Sequence, residues 1–327
     1  MRYLLLLLFI ISFEISNACD ACSIYEFSPL QAKSYFGLFY NYSFMNGYSS
    51  LNNNPNFTFN GSNLRSYPNA HTGHGVEAKK INPSTKDYES YQTLDLRFNY
   101  NLKKKWNLLL NVPISKNSIY YNEVIQGGYI DDSLRIHQGL GDILIAIDKV
   151  ATIENNNFKH TLKYGVGLFL PTGSIQKENN IDPAHYTGRG GFEPIIRASY
   201  SLKINQTWGI MANTSLATGT TFKTNDIDYH FGKRFNAQTN LFYSFNKGSS
   251  GFIPMLGLYY ENISSDYANK VQVNGTSSKA LFTNVSFGYS IKETMIRLEW
   301  QKPIHQITSD LQLYNSGRMN LTALHYF

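Results

Sequence analysis

Apolar and polar residues alternate, position by position, along much of this chain. In residues 93–102 the even positions are apolar and the odd positions are polar. Asp95 and Arg97 both fall on the polar face of this segment. Because successive side chains of a β-strand point to opposite faces, a period of two predicts strands with one apolar side and one polar side.

Twelve segments of this kind follow one another from residue 34 to the end of the chain. A tilted strand needs about 9 to 11 residues to cross a bilayer, and these segments have that length. After the first residues, no segment has the run of roughly 18 apolar residues that a membrane helix needs. The pattern therefore predicts an all-β fold, a single transmembrane antiparallel β-barrel of about 12 strands over residues 34–327.

The lengths of the predicted links alternate in the same way. Short links follow the even-numbered strands, as at Lys103-Lys104-Lys105. Outer-membrane barrels have short periplasmic turns, long external loops and an even number of strands. A soluble secreted β-sandwich is the alternative, but it gives no reason for this alternation. The long links follow the odd-numbered strands, at roughly 46–89, 116–137, 172–190, 220–232, 264–277 and 304–316.

The first residues resemble a secretory signal. Arg2 precedes a nearly unbroken apolar run from Tyr3 to Phe13, and Ser16-Asn17-Ala18 offers small residues at a cleavage site. We expect residues 1–18 to be a cleaved signal peptide and residues 19–33 to be a periplasmic N-terminal segment. The expected location is the outer membrane of a Gram-negative bacterium.

The two cysteines, Cys19 and Cys22, both lie in this N-terminal segment. Three interpretations stay open: a local disulfide or inert pair, a metal or redox site, and lipid attachment to Cys19. A cysteine-rich start before the first strand also resembles a group of Bacteroidetes-type barrels. Many members of that group carry a further Gly-Cys, where this chain has Ser23-Ile24.

The amino-acid composition indicates which kinds of molecule the protein meets. The net charge of +6 comes from scattered basic residues, and an exported protein meets no nucleic acid. Tyr and Phe, at 24 and 21 residues, suit a barrel with aromatic girdles in contact with outer-membrane lipids. The final alternating strand ends on Phe327, and this ending resembles the signal that outer-membrane barrels present to the barrel-insertion machinery.

Two short motifs lie in the middle of the chain. Gly139, Gly141 and Asp142 form a Gly-x-Gly-Asp sequence, and Pro171, Thr172 and Gly173 follow about 30 residues later. With Asn111-Val112-Pro113 and the terminal aromatic residue, they resemble a family of outer-membrane transporters named after a phenol-degradation meta pathway. The resemblance implies passage of small, often hydrophobic or aromatic solutes and no catalytic residues. The structural alternative is a strand bulge followed by a turn.

Charged residues on the polar faces would point into the barrel. They could line a narrow conduit that orients a solute, or they could hold a plugged interior together by ion pairs. The predicted lumen-lining residues are Asp95, Arg97, Lys163, Glu193, Arg197, Arg297 and Glu299.

His71 and His74 lie in the longest predicted external loop and could bind a metal with a third ligand such as Glu77. The alternative is a solvated polar loop. We expect no enzyme activity and no cofactor, and a small-molecule solute as the partner. Two other functions stay open: a non-conducting surface, adhesion or scaffold barrel that acts through its long loops, and an outer-membrane component of metal handling.

Overall fold

A computed structural model describes residues 33–48, 80–81, 86–102, 105–124, 130–155, 157–174, 186–204, 207–223, 228–247, 249–273, 276–308 and 313–327. Cys19, Cys22, His71, His74 and the predicted signal peptide lie outside these residues, so their roles stay predictions. Among the described residues, no helix is long and apolar enough to span a membrane.

The described residues form strands and no regular helix. The strands are β1 (Tyr35–Tyr48), β2 (Lys80–Ile81), β3 (Tyr88–Leu102), β4 (Trp106–Val124), β5 (Ile130–Leu140), β6 (Ile143–Glu154), β7 (Phe158–Leu170), β8 (Glu193–Ile204), β9 (Trp208–Ala217), β10 (Thr221–Lys223), β11 (Asp228–His230), β12 (Arg234–Tyr243), β13 (Phe245–Lys247), β14 (Ser250–Ile263), β15 (Tyr267–Ala268), β16 (Val271–Gln272), β17 (Ser278–Ile291), β18 (Thr294–Thr308) and β19 (Leu313–Tyr326).

The long strands close into a twelve-stranded antiparallel barrel, as the alternation predicts. Each barrel strand pairs with the next barrel strand along the chain. β5 and β6 together form one interrupted barrel strand, and β12 and β13 form another. The last strand, β19, pairs with β1 from Tyr326 opposite Tyr35 onward, which closes the ring. We call the end with the short turns and the final residue periplasmic, because outer-membrane barrels place their termini there.

The barrel is apolar outside and polar inside. Leu256 and Val166, which face outward, are 61% and 57% exposed, whereas the inward-facing Asp95 and Arg97 are 3% and 1% exposed. Because lipid cannot hydrogen-bond the backbone, a closed sheet with an apolar outer surface is the form in which strands can cross a bilayer. Aromatic rings cluster at the periplasmic rim, where Tyr243 packs against Trp208 and Phe245.

Two predicted links differ from the structure. The link at 116–137 is mostly a hairpin, because β4 continues to Val124 and pairs with β5 over its whole length. The link at 304–316 shortens to 309–312, since β18 runs to Thr308. In both places the strands continue beyond the residues that alternate clearly between apolar and polar. The alternation therefore predicted only part of each hydrogen-bonded strand pair.

A second, four-stranded sheet lies in the external links. It has the order β10-β11-β15-β16, and Tyr229, Phe231, Ala268 and Val273 form its apolar core. Asp266 fixes it by accepting hydrogen bonds from Tyr229 Oη (2.7 Å) and the Gly232 amide (2.7 Å). We call this element the external cap. Its strands have two or three residues each, which is too short for a period to be seen in the sequence.

Candidate functional site

The barrel lumen holds the charged residues, which form separate groups rather than one cluster. The first group lies on β3 and its neighbours. Arg97 Nη2 is 2.8 Å from Asp95 Oδ2, and the guanidinium lies over the Phe39 ring at 3.9 Å. Asn111 and Asn41 also donate to the Asp95 carboxylate, at 3.1 and 3.2 Å. Charge-assisted hydrogen bonds of this kind compensate for the burial of the ions.

The second group centres on Asp148, which the sequence prediction left out of the site. Its carboxylate forms one ion pair with Arg197, whose Nε is 3.0 Å away, and another with Lys163, whose Nζ is 3.2 Å away. Arg197 lies on β8 and Asp148 on β6, with β7 between them. The intervening residue is Gly165, where a methyl group would lie 2.5 Å from Asp148 Oδ1. The missing side chain therefore allows the two ions to meet across a strand.

The third group lies at the external end of the lumen. Glu193 Oε2 is 2.5 Å from Arg234 Nη2, and Glu193 Oε1 is 3.5 Å from Arg189 Nη1. The Arg189 guanidinium also packs over Phe231 of the external cap, at 4.7 Å from the ring centre. This group thus connects the barrel wall to the cap.

The fourth group reaches across the lumen. Glu299 accepts hydrogen bonds from Gln301 Nε2 (2.7 Å) and from Gln238 Nε2 (3.5 Å), although β14 and β17 separate β12 from β18. Arg297 Nη1 lies 3.9 Å from Glu299 Oε2. Nearby, Arg318 makes a two-pronged contact with Glu261 at 2.6 and 2.9 Å.

All seven predicted lumen residues therefore lie inside the barrel wall, but only Asp95–Arg97 and Arg297–Glu299 are paired with each other. The other three bind residues that the prediction missed. The same alternation could have found Asp148 and Arg234, which lie on polar faces, whereas Arg189 lies in the link before β8. The pair of Glu261 and Arg318 was also missed.

Apolar side chains fill the lumen between these groups. One cluster on the β4 to β9 side contains Leu109, Leu144, Phe169 and Ile195, each 4% exposed or less. A second contains Met211, Phe242, Ile253 and Met255. The described interior therefore places buried apolar side chains beside paired charges.

The two sequence motifs meet at the external rim. The Asp142 carboxylate, in the break between β5 and β6, accepts hydrogen bonds from the amides of Gly173 (2.9 Å) and Arg189 (2.7 Å). Thr172 Oγ1 donates to the Gly141 carbonyl at 2.8 Å and accepts from the Ile143 amide at 2.9 Å. We call this set of contacts the rim knot.

The rim knot also includes the third motif segment, since the Gly141 amide donates to the Pro113 carbonyl at 2.8 Å. Gly139 lies in β5 with a positive φ of 152°. Pro171 begins the link that leaves β7. Burial raises the pKa of the Asp142 carboxyl above its ordinary value, against the lowering effect of the two amide donors. These contacts account for both motifs as local structure.

No group of three or more His, Cys, Asp or Glu side chains in the described part of the chain is arranged to hold a metal ion. This finding does not extend to the His71 and Cys19 regions. The metal and disulfide predictions for those residues stay untested.

Comparison with known proteins identifies the family. A family model described as "MetA-pathway of phenol degradation" matches residues 112–320. The chain belongs to this family. The matched region contains the rim knot and most of the barrel. No curated protein matches the chain at a significant level.

One solved structure that aligns with a TM-score above 0.5 shows the fold of this phenol-degradation family member, and two others align less closely. An outer membrane channel from Pseudomonas putida F1 aligns with a TM-score of 0.56 and 13% identity, over 92% of this chain and 100% of that chain. The toluene transporter TbuX of Ralstonia pickettii aligns with a TM-score of 0.37, 10% identity and 90% of each chain. A Pseudomonas aeruginosa FadL homologue gives 0.36 and 10% over 90% of each chain. The fold is that of Gram-negative outer-membrane channels.

Proposed function

We propose that this barrel passes a small hydrophobic or aromatic solute across the outer membrane through its lumen. The observation that supports this most directly is the lumen itself, in which apolar clusters alternate with internally paired charges. Leu109, Phe169 and Ile195 are at most 4% exposed, so an apolar solute would reach them by displacing neighbouring side chains, and the charges near its path are already paired. Channels for ions instead use rings of charge that face open water.

The paired charges have two tasks in this proposal. They hold the inner wall in shape, and they give the path a polar side that orients the solute. The cross-lumen contacts, Arg318 with Glu261 and Gln238 with Glu299, connect strands that are not neighbours. A solute must displace them to pass, which makes passage selective rather than a constant leak.

The test compares uptake with conductance. Cells of a Gram-negative host that express the protein should take up a radiolabelled aromatic hydrocarbon faster than cells with the empty vector. Refolded protein in planar bilayers should give small or no steps, and Arg197→Glu should open larger ones because it breaks the pair with Asp148. Lys223→Glu, a charge reversal in the external cap, is the matched control and should change neither result.

Equal hydrocarbon uptake with and without the protein would refute the proposed function. Large, ion-selective steps from the wild type would also contradict it, because they would show an open ionic pore.

The packed interior also favours a second candidate, a closed surface or scaffold barrel that acts through its external elements. The external cap is ordered by the buried Asp266 contacts, as a binding surface would need to be. In this case the uptake assay would be negative, and deleting residues 224–227 between β10 and β11 would abolish adhesion or binding while the barrel still folds.

We also propose that β19 carries the contact with the insertion machinery. Phe327 is 60% exposed and stacks on Phe98 at the outer surface of the periplasmic rim, with ring centres 6.0 Å apart. Phe327→Ala should slow assembly of the barrel in cells. On gels, a larger share of the protein should then run as the unfolded band, whose mobility does not change on heating. Phe287→Ala, which removes an aromatic side chain that is 51% exposed within the wall, should leave assembly unchanged.

A further inference from the structure

One wall of the lumen holds buried polar atoms that have no hydrogen-bond partner among the described residues. Each of the five residues concerned is at most 3% exposed. Leaving a buried donor or acceptor unsatisfied costs free energy, and such groups need an explanation when they cluster. The atoms are Asn213 Nδ2 and Oδ1, Asn240 Nδ2, Asn284 Oδ1, Ser286 Oγ and Gln301 Oε1. We call these five residues the amide band.

The strand register places three members of the amide band in one row, with Asn213 one inward-facing row towards the outside and Ser286 one row towards the periplasm. Asn240 on β12 and Asn284 on β17 lie on either side of Gly257 on β14, and Gln301 on β18 is opposite Asn284. Asn284 Nδ2 donates to Asn240 Oδ1 at 2.6 Å, over the bare Gly257. Gln301 Nε2 donates to Glu299 at 2.7 Å, which turns its oxygen away from that carboxylate.

Apolar side chains border the row of Asn240, Asn284 and Gln301 on both sides along the barrel axis. Towards the outside, Tyr259 and Phe282 are paired across β14 and β17, with ring centres 5.8 Å apart. Towards the periplasm, Phe242 and Met255 are opposite each other on β12 and β14. Asn213 lies in the same inward-facing row as Tyr259 and Phe282, and Ser286 lies in the same row as Phe242 and Met255, so each apolar pair has a polar member of the band beside it.

We propose that the amide band binds an uncharged hydroxyl group of the transported solute, while the apolar body of the solute displaces neighbouring side chains and packs on Tyr259 and Phe282 or on Phe242 and Met255, each of which is at most 4% exposed. A hydroxyl group both donates and accepts, as the mixture of free amide nitrogens and oxygens requires. A carboxylate only accepts, and it would lie beside Glu299 and the free oxygens of Asn284 and Gln301. The inference rests on the proposed function and narrows its substrate class to neutral hydroxylated amphiphiles.

The test uses the full protein in lipid nanodiscs and three probes that share a 4-fluorophenyl ring. 4-Fluorobenzyl alcohol carries the hydroxyl group, 4-fluorotoluene has no hydrogen-bonding group, and 4-fluorobenzoate is anionic. The ¹⁹F line width of each probe is measured against empty nanodiscs, which removes partition into lipid. Protein-dependent broadening is expected for the alcohol, with weaker broadening for the toluene and none for the benzoate.

Two variants test the residues. Asn284→Leu and Ser286→Ala should weaken binding of the alcohol by roughly tenfold, the loss of about one hydrogen bond, and should leave the toluene unaffected. Asn107→Leu is the matched control, because Asn107 is also fully buried with unpartnered amide atoms but lies on β4, outside the amide band. It should not change binding of the alcohol.

Equal loss in Asn107→Leu, or no loss in either band variant, would overturn the inference, as would stronger broadening of the benzoate. The hydrocarbon uptake assay separates this from failure of the proposed function. Uptake without alcohol binding would refute the amide band alone, whereas binding without uptake would refute passage and leave the site in place.

Discussion

Arg197 and Asp148 form an ion pair across an entire intervening strand, with Nε 3.0 Å from Oδ1 and with Gly165 of β7 between them. Second-neighbour strands lie roughly 9 Å apart, so long side chains can meet across the strand between them only when no side chain of that strand stands in the way. The absent side chain at residue 165 removes the obstacle. A methyl group there would lie 2.1 Å from the Ile147 carbonyl oxygen and 2.5 Å from the Asp148 carboxylate.

Gly165→Ala should therefore destabilise the barrel by about 2 kcal/mol or more, since it overpacks a buried site and parts two buried ions. Urea unfolding of the protein refolded into lipid vesicles measures the change. Gly288→Ala is the control, because it also faces the lumen but a methyl group there meets nothing closer than 3.5 Å. Equal stability of the two variants would contradict the steric role of Gly165.

The sequence predicted which side chains face inward, because alternation fixes the face of each residue in a strand. It did not predict which charges pair. Lys163, Glu193 and Arg197 find their partners on other strands, and those contacts depend on the strand register and on how far the barrel closes. A single segment is enough to predict which side chains face inward. The pairing register depends on how all the strands fit together around the barrel.

The remaining misses have related physical causes. The β4–β5 hairpin and the end of β18 continue where alternation fades, since backbone hydrogen bonds do not depend on side-chain polarity. The external cap is built from strands of two or three residues held by Asp266 and packed aromatic rings. Such contacts join distant parts of the chain and leave no local pattern.

The buried pair of Glu261 and Arg318 gives a second prediction. The two-pronged contact, at 2.6 and 2.9 Å, joins β14 to β19 across two strands. Glu261→Gln should destabilise the barrel by about 3 kcal/mol, because it leaves the Arg318 charge buried without its counter-ion. Adding Arg318→Met should recover most of that loss, since both charges are then gone.

A double-mutant cycle in the same vesicle unfolding assay measures this coupling. Additive losses from the two substitutions would show that the pair contributes nothing beyond its separate members.

The rim knot gives a third prediction. Asp142 accepts from the Gly173 and Arg189 amides, so Asp142→Ala removes two charge-assisted hydrogen bonds from the segment that contains Arg189. Trypsin added outside the barrel should then cleave after Arg189 roughly tenfold faster or more, because the segment opens more often.

Asp142→Asn should lie between the wild type and Asp142→Ala, as it keeps one acceptor oxygen. Asp228→Ala is the control, because Asp228 forms an exposed pair with Lys223, and exposed pairs contribute little. Faster cleavage in the control than in Asp142→Ala would show that the cap, and not the rim knot, protects Arg189.

A last prediction follows from the amide band. Both side-chain polar atoms of Asn213 are buried without a hydrogen-bond partner in the described structure, and the residue is 3% exposed. Replacing such a group by an apolar one of similar shape removes the free-energy cost of burying polar atoms without hydrogen bonds. Asn213→Leu should therefore raise the free energy of unfolding by about 1 kcal/mol. The same substitution should weaken binding of 4-fluorobenzyl alcohol.

A more stable barrel that binds less is the expected signature of residues kept for function rather than for folding. Asn41→Leu supplies the contrast, because the Asn41 amide donates to Asp95 at 3.2 Å and its loss should lower stability without affecting the alcohol. If Asn213→Leu instead lowers the free energy of unfolding, its amide makes contacts that hold the wall together, and the residue belongs to the structural framework of the lumen.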